Sequence, residues 1–212
     1  MSEEMYEKMA EMVIAGKGED LIAAVNRALE QGKAAKEIIN TGLLPGMDVV
    51  GKRMKSGEMF IPEVLLSART MQGALNILKP LLVGGESTSA GIVVIGTVEG
   101  DLHDIGKNLV AMLLEGAGFE VINLGTGVKP EGFVAAVKEH KPAIVGMSAL
   151  LTTTMPKMEE TIEALKEAGL RDNVRIMAGG APVTQDFVDK IGADAYGANA
   201  AAAVEKAKAI LS

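Results

Sequence analysis

An aspartate stands two residues before a histidine in a glycine-rich stretch, Gly-Thr-Val-Glu-Gly-Asp-Leu-His-Asp-Ile-Gly, which brings Gly100, Asp101, His103, Asp104 and Gly106 together. Metal-bound histidines usually donate the proton of their other ring nitrogen to a carboxylate or carbonyl, which fixes the tautomer and makes the ligating nitrogen more basic. Asp101 is spaced to do this for His103. The glycines leave room for a large flat ligand to approach the backbone. They match neither the dinucleotide fingerprint nor the Walker pattern, so nucleotide phosphate is a poor reading. On these residues alone, a surface-loop histidine with a capping aspartate nearby is the favoured reading of His103, and only its position at the switch point of the expected sheet shifts the balance toward a ligand. The other histidine, His140, falls at an expected helix C-terminus, where a cation complements the dipole, and reads as structural. With no cysteine in the chain, a disulfide, a thiolate nucleophile and a cysteine-bound metal are excluded. Any metal must be held by nitrogen or oxygen.

The elements that would position these residues follow from hydrophobic periodicity. Residues 1–83 read as helices only: Met5, Met9, Met12 and Val13 form one stripe, and Leu21, Ile22, Val25 and Leu29 a second. A third runs from Leu43 to Met54, and Pro62 opens a fourth through Leu65, Ala68, Met71, Leu75 and Leu78. Four amphipathic helices with short connections predict a four-helix bundle. Residues 84–90, small and polar, read as a linker. From 91 to 212 the pattern changes to short β-rich runs separated by helical segments, which predicts an α/β domain, a doubly wound five-stranded parallel sheet of the flavodoxin-like kind. The usual strand order, 2-1-3-4-5, reverses between strands 1 and 3, and ligands bind beyond the carboxyl ends at that point. The loops after strands 1, 3 and 4 are then neighbours, and these hold His103, Ser148 to Thr154, and Gly179 to Pro182.

Composition narrows the function. The chain has 212 residues, 48% hydrophobic and only 3% aromatic, so its core is aliphatic. Its net charge is −7 with no Lys/Arg cluster, which argues against nucleic acid as a partner. No apolar run approaches the roughly 20 residues of a membrane span, and the acidic N-terminus lacks the basic region of a secretory signal. A cytoplasmic location without membrane association is the expectation.

The motifs Asp101-Leu-His103-Asp-Ile-Gly106, Ser148-Ala-Leu150 and Gly179-Gly180, in this order on consecutive loops, resemble the cobalamin-binding module of methionine synthase. More closely, they resemble the corrinoid proteins of methanol, methylamine and demethylase methyltransferase systems. The resemblance implies a cobalamin or related corrinoid cofactor whose own base leaves cobalt, with His103 as the metal ligand and the nucleotide tail inserted into the sheet domain. It implies roles for Asp101 and, by position after Ser-x-Leu, Thr154, as a relay to His103. The implied cofactor contacts are Gly100 through Gly106, including Leu102, Asp104 and Ile105. Beyond that loop they are Ser148, Leu150, Thr152 and Thr154, then Gly179, Gly180, Ala181 and Tyr196. The helical residues are implied to cap the upper face, with Phe60, Val64 and Leu65 nearest the methyl group. Nothing in the sequence looks like a pocket for a second substrate, so the chain is expected to carry a methyl group between a substrate-specific methyltransferase and a second acceptor methyltransferase. A separate reductive activation protein is also expected. The alternatives are the small cobalamin-binding subunit of an adenosylcobalamin-dependent mutase, or a cobalamin sensor.

Overall fold

The computed structural model describes residues 2–82 and 90–211. Of the expected linker, residues 84–90, only Ala90 lies among them. The described residues form two compact units: a helical one of residues 2–82 with Glu115–Gly118, and an α/β one of Ala90–Leu114 with 119–211.

The helical unit comprises α1 (Ser2–Ile14), α2 (Gly18–Glu30), the short α3 (Ala35–Glu37), a π-helical segment (Ile38–Leu43), α4 (Leu44–Ser56) and α5 (Ile61–Leu78). Each of the long helices buries one stripe. In α1 it is Tyr6, Met9 and Val13, so Tyr6 takes the inner place that the sequence gives to Met5 and Met12. In α5 it is Val64, Ala68, Met71, Leu75 and Leu78. The π segment is absent from the sequence reading, which begins the third helix at Leu43. Its extra residue per turn breaks the α-helical period, yet places Ile38, Ile39 and Leu43 all in the core. Gly42 permits the close approach, since a Cβ there would stand 3.2 Å from the Met9 sulfur. Val64 is fully buried, which removes it from the residues that could face a ligand.

The α/β unit alternates β1 (Ile92–Thr97), α6 (Ile105–Gly116), β2 (Glu120–Asn123), α7 (Pro130–His140), β3 (Ile144–Ser148), α8 (Pro156–Glu167), β4 (Arg175–Gly179), α9 (Gln185–Lys190), β5 (Ala195–Gly197) and α10 (Ala200–Ala209). All strand pairs are parallel, in the order β2-β1-β3-β4-β5 that the sequence predicts. Strand side chains alternate between faces. Val94, Val145, Ile176 and Ala178 enter a core with Phe133, Met158, Ile162 and Leu165. Full burial of a side chain such as Phe133 is worth about 1.5–3 kcal/mol. The other face carries two rows fixed by register: Ile95, Gly146 and Met177, then Thr97, Ser148 and Gly179 at the carboxyl ends.

Candidate functional site

The His103 loop leaves β1 at Thr97 and turns through Gly100, whose φ of 80° is one that glycine adopts without strain. Asp101 follows, fully buried. Its Oδ1 accepts from the His103 backbone N–H at 3.1 Å and lies 2.7 Å from the ring Nδ1. Its Oδ2 accepts from the backbone N–H groups of Leu150 at 2.7 Å and Leu151 at 3.3 Å, and from the Thr154 hydroxyl at 2.8 Å. Burial pushes this carboxyl up, but the hydrogen bonds from Leu150, His103 and Thr154 outweigh it and hold Asp101 well below the usual carboxylate range. An ionised Asp101 favours the proton on His103 Nδ1, which leaves Nε2 as the nitrogen that can take a ligand. No hydrogen-bond partner for Nε2 is found among the described residues, and the imidazole is half exposed. The single hydroxyl proton of Thr154 serves either Asp101 or the Leu151 carbonyl, 2.9 Å away.

Beside this loop a cavity of about 510 Å³ runs along the sheet face between α6 and α10. The expected contacts Leu102, His103, Asp104, Ile105, Gly106, Ser148, Leu150, Gly179, Gly180, Ala181 and Tyr196 all line it. Leu102 and Ile105 are 78% and 87% exposed, so an apolar rim flanks the imidazole. A side chain at Gly180, whose φ is 130°, would run into the carbonyl of Ala149, so the backbone itself requires glycine there.

Two models described as B12 binding domain match the chain, one over residues 91–205 and the other over 5–79. The chain is 45% identical to dimethylamine corrinoid protein 2 of Methanosarcina acetivorans, over 99% of this chain and 97% of that protein. It is 47% identical to trimethylamine corrinoid protein 1 of the same organism, over 91% of each. The chain belongs to the corrinoid-protein family. Among solved structures, this corrinoid protein superposes with a TM-score of 0.89 and 36% identity on a chain of the methanol:cobalamin methyltransferase complex MtaBC from Methanosarcina barkeri. That match covers 98% of this chain and 80% of the other.

The residues present in the corrinoid protein fit its cofactor. The donor set is one imidazole nitrogen backed by a buried carboxylate, beside a cavity of about 510 Å³ edged by exposed leucine and isoleucine. Among the described residues no group of three or more His, Cys, Asp or Glu could hold a metal ion by itself. Asp101 and Thr154 lie behind the imidazole and are absent from the cavity lining, as are Gly100 and the exposed Thr152. Phe60, 67% exposed, and the half-buried Leu65 belong to the helical unit and are not brought together with His103 within the α/β unit.

Other residues of the corrinoid protein shape the site without announcing themselves in the sequence. The buried Thr97 hydroxyl donates to the His103 carbonyl at 2.9 Å, a second anchor on the loop. Lys107, also buried, donates to Asn108 Oδ1 at 2.6 Å and Asn123 Oδ1 at 2.7 Å, tying the start of α6 to the end of β2. Asn108 Nδ2 in turn donates to Asp104 at 2.9 Å. Burial pushes the Lys107 ammonium down, with Asp104 opposing. A strand-end threonine and a lysine at helical spacing look ordinary in sequence, and only the fold brings them to the loop.

Proposed function

We propose that this corrinoid protein carries a methyl group on the cobalt of its bound cofactor, taking it from a substrate-specific methyltransferase and yielding it to a second methyltransferase. The observation that carries the reading is the contact of His103 Nδ1 with buried Asp101, which turns Nε2 into the available donor beside the apolar rim. When bound, the corrinoid supplies a cobalt centre able to accept and release a methyl group.

This chain's residues do the rest. His103 Nε2 is the atom that would hold the cobalt. Asp101 keeps the proton on Nδ1, and the three donors on its Oδ2 hold the carboxylate in place. Thr154 moves its hydroxyl proton between Asp101 Oδ2 and the Leu151 carbonyl as the demand on the imidazole changes. The cavity beside the sheet, with Ser148, Gly179, Gly180, Ala181 and Tyr196 along its wall, would hold the nucleotide tail. Residues 1–83 are read as a cap contributing Phe60 and Leu65, joined through 84–90 to the cobalamin-binding residues 91–212. A cytoplasmic setting and a separate reductive activation protein complete the reading. The match over residues 5–79 argues against a mutase small subunit, which would consist of the sheet domain alone.

The test mixes the reduced, loaded protein with a partner methyltransferase and a substrate isotopically labelled in its methyl group. Label should become protein-bound only when both are present, whereas methyl iodide, already activated, should label the protein unaided. A loaded protein that refuses methyl iodide, or that supports a carbon-skeleton rearrangement with a large subunit, would sink the carrier reading.

A further inference from the structure

Lys107 lies buried in the first turn of α6, close behind His103 in the chain. An ammonium is costly to bury unless its protons find acceptors. Here they go to two amide oxygens, Asn108 Oδ1 at 2.6 Å and Asn123 Oδ1 at 2.7 Å, with the charge of Asp104 nearby. Because an ammonium only donates, it dictates which way round both amides sit. The Asn108 NH2 group is thereby turned to Asp104 Oδ2, to which it donates at 2.9 Å, while the Asn123 NH2 group donates to Asn108 Oδ1 at 3.1 Å.

A second arm runs through the turn after β2. Asn123 Oδ1 also accepts from the Gly125 N–H at 3.0 Å, and Gly125 and Gly127 both take positive φ, 83° and 64°. From this turn the Gly127 N–H donates to the Asp101 carbonyl at 3.0 Å, and the Gly125 carbonyl accepts from the Thr97 N–H at 3.0 Å. The two arms thus end on Asp101 and Asp104, with His103 between them.

We propose that Lys107 is a positioning residue for the cobalt ligand: through Asn108 and Asn123 it fixes both ends of residues 101–104 and so sets how readily His103 Nε2 reaches the metal. The proposal rests on the reading of His103 as that ligand. A ligating group must be held within about 0.5 Å of its working position, and the hydrogen bonds behind it provide this. Asp101 can steer the imidazole only as well as its own backbone is held.

The experiment binds cobalamin to the full chain, reduces it to Co(II) and records the paramagnetic resonance. With the histidine nitrogens of the protein isotopically labelled, the hyperfine pattern separates protein nitrogen from that of the cofactor's own base. Lys107→Met keeps the aliphatic stem but frees both amides to turn, so it should lower the histidine-bound fraction and weaken cobalamin binding about 10-fold. Asn123→Ala, at an exposed position, breaks one arm and should shift both readings in the same direction. Asn123→Asp keeps an acceptor for Lys107 and for the Gly125 N–H and should restore them. A wild-type fraction and affinity in Lys107→Met, with only a lower urea midpoint, would leave Lys107 a structural role and overturn the proposal, as would Asn123→Ala and Asn123→Asp behaving alike. If circular dichroism shows that Lys107→Met does not fold, the two Asn123 variants decide. Splitting present in the wild type and unmoved by any variant ends this proposal alone, whereas a wild type with no splitting from labelled nitrogen ends the reading of His103 as well.

Discussion

Asp101 accepts on both carboxylate oxygens, and every one of its neighbours is a donor. In Asp101→Asn, either orientation of the amide sets an NH2 group against donors, at a cost of about 1–3 kcal/mol for the buried group left unsatisfied. If the NH2 faces the imidazole, it forces the proton onto Nε2 and takes away the lone pair meant for cobalt. Affinity for cobalamin should fall by about 10- to 100-fold, with weaker nitrogen hyperfine splitting in the Co(II) paramagnetic resonance. Wild-type values for both would end the orienting role. His103→Ala should keep the fold and lose the splitting entirely, and a mutant spectrum that retains it would place another nitrogen on the metal. Thr97→Val removes the bond to the His103 carbonyl at constant volume, so it should lower the fraction with histidine on cobalt, while Thr97→Ser restores it. His103, Asp101 and Thr154 are legible from motif spacing because their neighbours are close in the chain or fixed by the family pattern. Thr97 and Lys107 are not, because their partners are visible only after β1, β2 and the loop are folded together.

At the scale of elements, the periodic signal carries the helices and strands well, and it fails where the period itself changes. Ile38, Ile39 and Leu43 are buried on a π turn, so a scan at 3.6 residues per turn loses the stripe there and restarts at Leu43. The residues expected to cap a ligand are poorly legible for a related reason: an apolar residue reads the same whether it faces core or solvent, and Val64 turns inward while Phe60 stays out. The end of β4 gives a sharper expectation. Gly180→Ala must adopt a φ of 130° and push against the Ala149 carbonyl. It should lower stability by about 1–3 kcal/mol or more, read as a reduced urea midpoint at unchanged slope. An unaltered midpoint would mean that the loop after β4 relaxes without strain.

For the whole molecule, the strand order was predictable because five strands joined by helical crossovers allow few arrangements, and the order in turn places three loops at one end of the sheet. The division at residues 84–90 rests on composition, and most of that segment lies outside the described residues. Because the cavity is lined wholly by residues of the α/β unit, ligand binding should register as stability of that unit. Cobalamin at about 100 times its dissociation constant adds about 2.7 kcal/mol to a state that binds it only when folded. The melting temperature should rise by several degrees in calorimetry, less so in His103→Ala, and a melt indifferent to cobalamin would remove the ligand from the account.

Leu150 is 41% exposed, yet its amide proton is held by the buried carboxylate of a residue 49 positions earlier. That bond exists only while β1 lies beside β3, a pairing that must close a long stretch of chain and is therefore a slow, non-local step in folding. Proton exchange at this one surface residue thus becomes a clock for the central strands. In heavy water the Leu150 amide should exchange with the protected interior of the sheet, orders of magnitude behind the neighbouring exposed Thr152, and it should keep pace with the opening of β1 from β3.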